Sequence, residues 1–286
     1  MKRKKMICVL VIGLAIIVLS AIILIIIKRS NNNSDEMLEN TILLRYGDNF
    51  SSVTCEPIEG NKDTIINELK YNIVFYIDPY CESCLKSFVA ADHMNKILGK
   101  YVDVTLLWRQ EPSEDIINKV GIDKDKQFVL NNVKISNPYP TYFVIDKKGE
   151  IVLSVDDLDK VTKNIVVLDC FTKENIITSA NQYFFNKVGK ENNKPALIYF
   201  AMEGCNDCAV AEKMLNAKNI QDKYNLLTVY TEESYGEQEI VDVGSLFLEI
   251  YGIEWYPSFL IIKDDTYQFV GETSIEELEN ILMVDN

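Results

Sequence analysis

The chain has 286 residues, 29 Lys plus Arg against 43 Asp plus Glu, one His and seven Cys, for a formal net charge of −14. So acidic a surface disfavours nucleic acid, whose phosphates are held by cationic side chains, and one His leaves no material for a His-rich metal site or a Ser-His-Asp triad. At 48% apolar and 25% charged, the composition is that of a globular chain long enough for about two domains.

Lys2, Arg3, Lys4 and Lys5 precede an uncharged run from Ile7 to Ile27, which Lys28 and Arg29 close. At 1.5 Å per residue that run would make a helix about 31 Å long, enough to cross a hydrocarbon core. A cleavable signal peptide is the competing reading. Its apolar region normally spans about 7 to 15 residues and ends at a small-residue site, whereas this run ends Ile-Leu-Ile-Ile-Ile before the basic pair. The sequence therefore predicts a basic cytoplasmic tail over 1–6, a single transmembrane helix over 7–27 and a linker over 28–49 that includes the polar stretch Ser30 to Glu36. The larger positive charge before the span keeps the N-terminus in the cytoplasm and puts the rest outside the cell membrane. Cys8 falls at the cytoplasmic end of the span and reads as an ordinary apolar helix residue. Six of the 29 basic residues flank the span, so the exported part holds 23 positive against 43 negative groups, about −20. That surface is repelled by anionic lipid. An oxidising exterior is also where paired cysteines are at home.

Four of the exported cysteines form Cys81-Glu82-Ser83-Cys84 and Cys205-Asn206-Asp207-Cys208, and the flanking patterns repeat in order. Apolar runs with strand character, Ile73 to Ile77 and Ala196 to Phe200, lead through short turns into each motif. After it, Leu85, Phe88 and Val89, and Val210, Met214 and Ala217, form stripes that predict an amphipathic helix opened by each motif. Strands are expected over Val102 to Trp108 and Asn225 to Thr231. A Tyr-Pro pair then precedes another strand in each copy, Tyr139-Pro140 before Thr141 to Ile145 and Tyr256-Pro257 before Ser258 to Ile262. Hairpin strands follow, Glu150 to Val155 and Tyr267 to Val270, and the capping box Ser274-Ile275-Glu276-Glu277 opens a helix through Leu282. The two copies divide the exported chain into domains at 50–163 and 164–286.

This order resembles a thioredoxin domain twice over. The first copy is similar to the membrane-anchored TlpA/ResA-like thiol-disulfide oxidoreductases, through Pro140-Thr141-Tyr142-Phe143-Val144-Ile145 and the turn Asp146-Lys147-Lys148-Gly149; the second is similar to thioredoxin, including Phe269-Val270-Gly271 before the last helix. The resemblance implies an α/β fold with two central mixed sheets flanked by helices behind the transmembrane helix. It implies thiol-disulfide oxidoreductase activity with no cofactor or metal, on disulfide-containing exported proteins or peptides. An integral-membrane thiol electron carrier is the implied second partner. It further implies cis peptides before Pro140 and Pro257, which with Tyr139 and Tyr256 would bind an extended substrate strand. Two departures stand out: the family's buried aspartate is replaced by Phe75 and Tyr199, and its Trp-Cys-Gly-Pro-Cys by motifs with Tyr80 or Gly204 in the Trp place and no proline.

Dithiol exchange needs one accessible thiol to attack and a second, a helical turn on, to resolve the mixed disulfide; the helix dipole favours the thiolate of the first. Cys81 and Cys205 are thus expected as nucleophiles, with Cys84 and Cys208 resolving. Asp78 and Glu82 flank one nucleophile and Glu203 and Asp207 the other, which disfavours thiolate and points to a reductant or isomerase rather than a strong oxidant. The competing readings are one catalytic copy with a second substrate-binding copy, and a metal-binding or structural surface protein. His93 is expected on a solvated helix face. Cys55 and Cys170 each follow a stretch that reads as a first strand, Ser52 to Cys55 and Ile165 to Cys170; buried thiols, an interdomain disulfide or a relay are the alternatives for them.

Overall fold

A computed structural model describes residues 40–60, 64–188, 194–216, 218–231, 240–263, 266–271, 273 and 275–283. The tail and transmembrane helix expected over 1–27 lie outside the described residues. Among those described, no helix is long and apolar enough to cross a membrane. Within the span read as a linker, Asn40–Ile42 is a strand and Leu44 is buried.

The first half carries strands β1 (Asn40–Ile42), β2 (Cys55–Pro57), β3 (Tyr71–Ile77), β4 (Val102–Trp108), β5 (Gln127–Leu130), β6 (Val133–Ile135), β7 (Thr141–Ile145) and β8 (Ile151–Val155), with helices α1 (Leu85–Leu98), α2 (Glu114–Lys119) and α3 (Leu158–Ile165). β1 and β6 form a two-stranded parallel pair of their own. The rest make a mixed sheet ordered β2-β5-β4-β3-β7-β8, in which β3, β4 and β5 run parallel and β7 and β8 antiparallel. All seven residues of β4 are buried, which is why it reads as an unbroken apolar run rather than an alternating one.

The second half adds helix α4 (Lys173–Val188), strand β9 (Ala196–Ala201), helices α5 (Asn206–Leu215) and α6 (Lys218–Lys223), strands β10 (Asn225–Thr231) and β11 (Val241–Asp242), helix α7 (Leu246–Tyr251), strands β12 (Ser258–Lys263) and β13 (Thr266–Val270), and helix α8 (Ile275–Met283). Its sheet is ordered β11-β10-β9-β12-β13, with β9, β10 and β11 parallel and β12 and β13 antiparallel. Strand for strand and direction for direction, this is β5-β4-β3-β7-β8 again, the thioredoxin order in both sheets.

Three local expectations are corrected. Ile165 to Cys170 is not a strand. Asp157 caps α3 by accepting from the backbone N–H of Asp159 and Lys160 at 3.0 and 3.4 Å, and Val161 and Ile165 are buried four residues apart on one face. That burial outweighs the β-branched preference, and the chain then turns. Phe50–Ser52 is a 3-10 turn capped by Asn49, so the strand near Ser52 begins only at Cys55. The helix stripes are corrected in part: Phe88 and Val89 of α1 and Met214 of α5 pack against the core as expected, but Leu85 and Val210 are exposed, the most buried residues are Ala90, Ala91, Met94, Ile97 and Leu98 in α1 and Ala211 and Leu215 in α5, and Ala217 lies outside the described residues.

One apolar cluster runs from the first sheet through α1, α4 and α7 to one face of the second sheet; a separate cluster lies on the second sheet's other face, beneath α5 and α8. His93 sits in the first of these, against the rings of Tyr183 and Phe247 at 5.7 Å each, so the expected solvated position is corrected. Burial, reinforced by Lys96 and Lys187, pushes its pKa down to about 4. At α7 the chain passes so close to α3 that a Cβ on Gly244 would lie 2.9 Å from the Leu158 Cβ, and its φ of +68° also demands glycine.

Candidate functional site

β3 delivers the first motif. After Ile77 the chain turns through Asp78-Pro79-Tyr80, the Cys81 N–H donates to the Asp78 carbonyl at 3.2 Å, and Glu82–Cys84 makes one 3-10 turn that runs into α1. Cys81 is partly exposed, with its Sγ 2.9 Å from the Ser83 hydroxyl; Cys84 is fully buried. Burial above all, and then the neighbouring Cys81, push the Cys84 thiol up to about 12. The accessible thiol precedes the concealed one, as an attack-and-resolve pair requires.

The Asp78 carboxylate, 4% exposed, accepts from the Tyr80 N–H at 2.9 Å, Arg109 Nη1 at 3.0 Å and Gln110 Nε2 at 3.2 Å. Arg109 also lies over the Tyr139 ring, 5.1 Å from its centroid, which adds a cation–π contact beside the cis Tyr139–Pro140 peptide. Of the two acidic residues beside Cys81, Asp78 is thus ion-paired with Arg109, while Glu82 is exposed. Sequence reading missed Arg109 and Gln110, although a signal existed: β3 and β4 pair in parallel with Ile77 opposite Trp108, so the residues after each strand emerge side by side.

The second motif leaves β9 through Met202-Glu203-Gly204. Cys205 caps α5, its Sγ accepting from the Cys208 N–H at 3.1 Å, and it is disulfide-bonded to the buried Cys208. The cis Tyr256–Pro257 peptide brings the Tyr256 carbonyl within 3.9 Å of the Cys205 sulfur. The structure thus gathers Cys205, Cys208, Tyr256 and Pro257 at one sheet end. In the first half, Tyr76 pairs with Thr141, so the register leads Tyr139 and Pro140 to the loop that carries Cys81.

At the buried position below each motif the two halves exchange a pair of aromatics. Phe75 pairs with Tyr142 in the first sheet and Tyr199 with Phe259 in the second, with ring centroids 5.2 and 5.3 Å apart. The Tyr142 hydroxyl bonds Ser87 of α1 at 2.9 Å, whereas the Tyr199 hydroxyl donates to the carbonyl of Cys208 itself at 2.8 Å. Farther from the sulfurs, buried Asp242 accepts from the N–H groups of Phe247 and Leu248 at 2.8 and 3.0 Å; its burial raises the carboxyl to about 7 in spite of them.

Cys55 and Cys170 are both partly buried, and no disulfide joins them. Cys55 lies on edge strand β2 opposite Leu130. Cys170 ends the turn after α3, near Tyr71 at the start of β3, and burial raises its thiol pKa.

Neither a protein-family model nor a curated protein matches the chain. Among solved structures it is similar to an exposed lipoprotein thioredoxin from Streptococcus pneumoniae, at 23% identity over 31% of this chain and 75% of that one, with a TM-score of 0.24. A thiol:disulfide interchange protein from Bacteroides sp. is similar at 19% identity over 44% of this chain and 93% of that one, with a TM-score of 0.31. A thioredoxin-like protein from Parabacteroides distasonis is similar at 18% identity over 43% and 98%, also with a TM-score of 0.31. Each spans less than half of this chain, and the thioredoxin-like α/β fold rests on the chain's own strand order.

Proposed function

We propose that the protein is a tandem thioredoxin-like thiol-disulfide oxidoreductase, anchored in the cell membrane by residues 7–27 with its N-terminus in the cytoplasm and both halves outside. One observation carries this reading: in each half a partly exposed cysteine opens a helix, its buried partner stands three residues on, and a Tyr-cis-Pro peptide closes the same sheet end. The Cys81 thiolate attacks a substrate disulfide, forming a mixed disulfide and releasing one substrate sulfur as a thiolate. Cys84 loses its proton, attacks Cys81 Sγ and releases the second substrate sulfur, so two electrons pass to the substrate and Cys81–Cys84 becomes the disulfide. Cys205 and Cys208 act in the same way. The direction is reductive or isomerising, on disulfides of exported proteins or peptides, with an integral-membrane thiol carrier returning the protein to its dithiol state.

Cys84→Ala and Cys208→Ala remove the resolving thiols. Each is expected to accumulate a mixed disulfide in cells that is visible on non-reducing gels and lost with dithiothreitol. Absence of any adduct in both variants contradicts the reading.

A further inference from the structure

The two motifs flank one opening. In the first half, Lys86 stands in the first turn of α1, two residues after Cys84, and Asp159 in the first turn of α3. Both line a cavity of about 370 Å³. Its other walls include Met202, three residues before Cys205, and Tyr256, whose carbonyl lies 3.9 Å from the Cys205 sulfur. Thr231 and Asp242, paired at the C-terminal ends of β10 and β11, line it as well. The helix that the first motif opens therefore starts beside the strand ends that carry the second motif.

Packing fixes this placement. α1 from the first half and α4 and α7 from the second share one apolar cluster, with His93 against Tyr183 and Phe247 and with Gly244 too close to Leu158 for a larger side chain. Swinging one motif away from the other would open that core, so the two ends are not free to move as separate domains. Both nucleophiles, Cys81 and Cys205, are partly exposed. Taken as a sphere the cavity is about 9 Å across, and Cys81 and Cys205 lie five and three residues along the chain from Lys86 and Met202, so the two sulfurs stand on the order of 20–25 Å apart. An extended polypeptide covers about 3.3 Å per residue, so about eight residues bridge that span.

We propose that both motifs engage one substrate molecule at the same time, so that the preferred substrate is a polypeptide with two disulfides set about eight or more residues apart. The proposal rests on the reading of both cysteine pairs as exchange pairs. Each motif dithiol gives two electrons and two protons to one substrate disulfide and itself closes to a disulfide, so one encounter turns two substrate disulfides into four thiols. Once the first mixed disulfide has formed, the second forms within the complex, at an effective concentration set by the spacer.

The test uses the reduced full chain in lipid nanodiscs with Cys84→Ala and Cys208→Ala, which hold the mixed disulfides, and with Cys55→Ser and Cys170→Ser, which remove the other partly exposed thiols. Two peptides each carry a pair of cysteines activated as thionitrobenzoate disulfides, separated by about two or about fourteen flexible residues; the longer spacer has a root-mean-square span of about 20 Å. Mass spectrometry is expected to find the longer peptide joined through both cysteines to Cys81 and Cys205 of one chain. Its second link is expected to form at least about tenfold faster than between separate chains that carry Cys205→Ser or Cys81→Ser in addition. The shorter peptide is expected to join any one chain through a single cysteine. Bridging by the longer peptide that is no faster than between separate chains, or equal bridging by the two peptides, overturns the proposal and leaves the exchange reading standing. Failure of the reduced parental chain to reduce a peptide with one disulfide overturns both.

Discussion

The two motif ends stand on sheets of one strand order, yet their polar surroundings differ. In the first half, Asp78 is held by Arg109 and Gln110, and Arg109 braces Tyr139 at the cis-proline peptide. In the second, Gly204 stands where Tyr80 stands, a Cβ there would meet nothing within 4 Å, and a polar cavity adjoins the turn. The buried hydroxyl has changed strands as well, serving Ser87 in one half and the carbonyl of Cys208 in the other. Strand order and motif position are set by apolar runs that any suitable residue can fill, while each hydrogen-bonded partner set depends on a few individual side chains. Two copies can therefore keep the sulfur geometry and diverge in what they recognise.

The largest effect that sharpens this contrast is on stability against pH, because each half holds a buried group whose pKa is strongly shifted, His93 in the first and Asp242 in the second. His93 has a folded pKa of about 4 against 6.5. Its neutral form is favoured on folding, so its contribution is complete above pH 6.5 and falls by up to about 3 kcal/mol as the pH drops through 4. Asp242 has a folded pKa of about 7 against 3.8, with Asp159 adding to the rise, so its contribution has the opposite sign: present in full below pH 3.8 and lost as the pH climbs through 7. His93→Leu loses no hydrogen bond at Nδ1, and relative to the parent it is expected to gain stability on going from pH 7 to 4.5. Asp242→Asn is expected to lose it over the same interval. Urea midpoints at three pH values decide this; variants that track the parent at every pH contradict it.

A smaller effect comes from Arg109→Met, which leaves a buried carboxylate without its guanidinium and is expected to cost about 1.5–3 kcal/mol. Iodoacetamide should also react several-fold more slowly with Cys81, with reduced Cys205 unchanged, because the negative charge of Asp78 is then uncompensated. Equal rates at Cys81 before and after the substitution break the contrast between the ends. Smallest are Tyr199→Phe and Tyr142→Phe, each expected to cost about 1 kcal/mol for one lost hydrogen bond. Only Tyr199→Phe should shift the reduction potential of the Cys205–Cys208 pair, since its partner is the Cys208 carbonyl. Identical potentials for the two variants would assign both hydroxyls to packing alone.

The sequence made much of this framework legible. Val102–Trp108 and Asn225–Thr231 are strands over the bounds that their apolar runs suggest, and both cis peptides fall at the Tyr-Pro pairs. What was not legible depends on distant packing. The stretch from Ile165 to Cys170 has strand composition, but Asp157 starts a helix before it and burial of Val161 and Ile165 holds that helix. His93, the lone histidine, looks solvated until α4 and α7 cover it with Tyr183 and Phe247. Arg109 follows the strand Val102–Trp108, and only the parallel register with β3 sets it against Asp78. Cys55 and Cys170 occupy parallel places in the sequence, but one lies on an edge strand and the other in a turn after a helix.

The most direct test of two exchange-competent halves is insulin reduction by the full chain carrying Cys81→Ser with Cys84→Ser, or Cys205→Ser with Cys208→Ser, or all four changes. Each paired variant is predicted to keep at least about a tenth of the parental rate, and the fourfold variant to lose activity by more than about a hundredfold. If one paired variant is as inactive as the fourfold variant while the other keeps the full parental rate, only one half performs exchange and the account is contradicted.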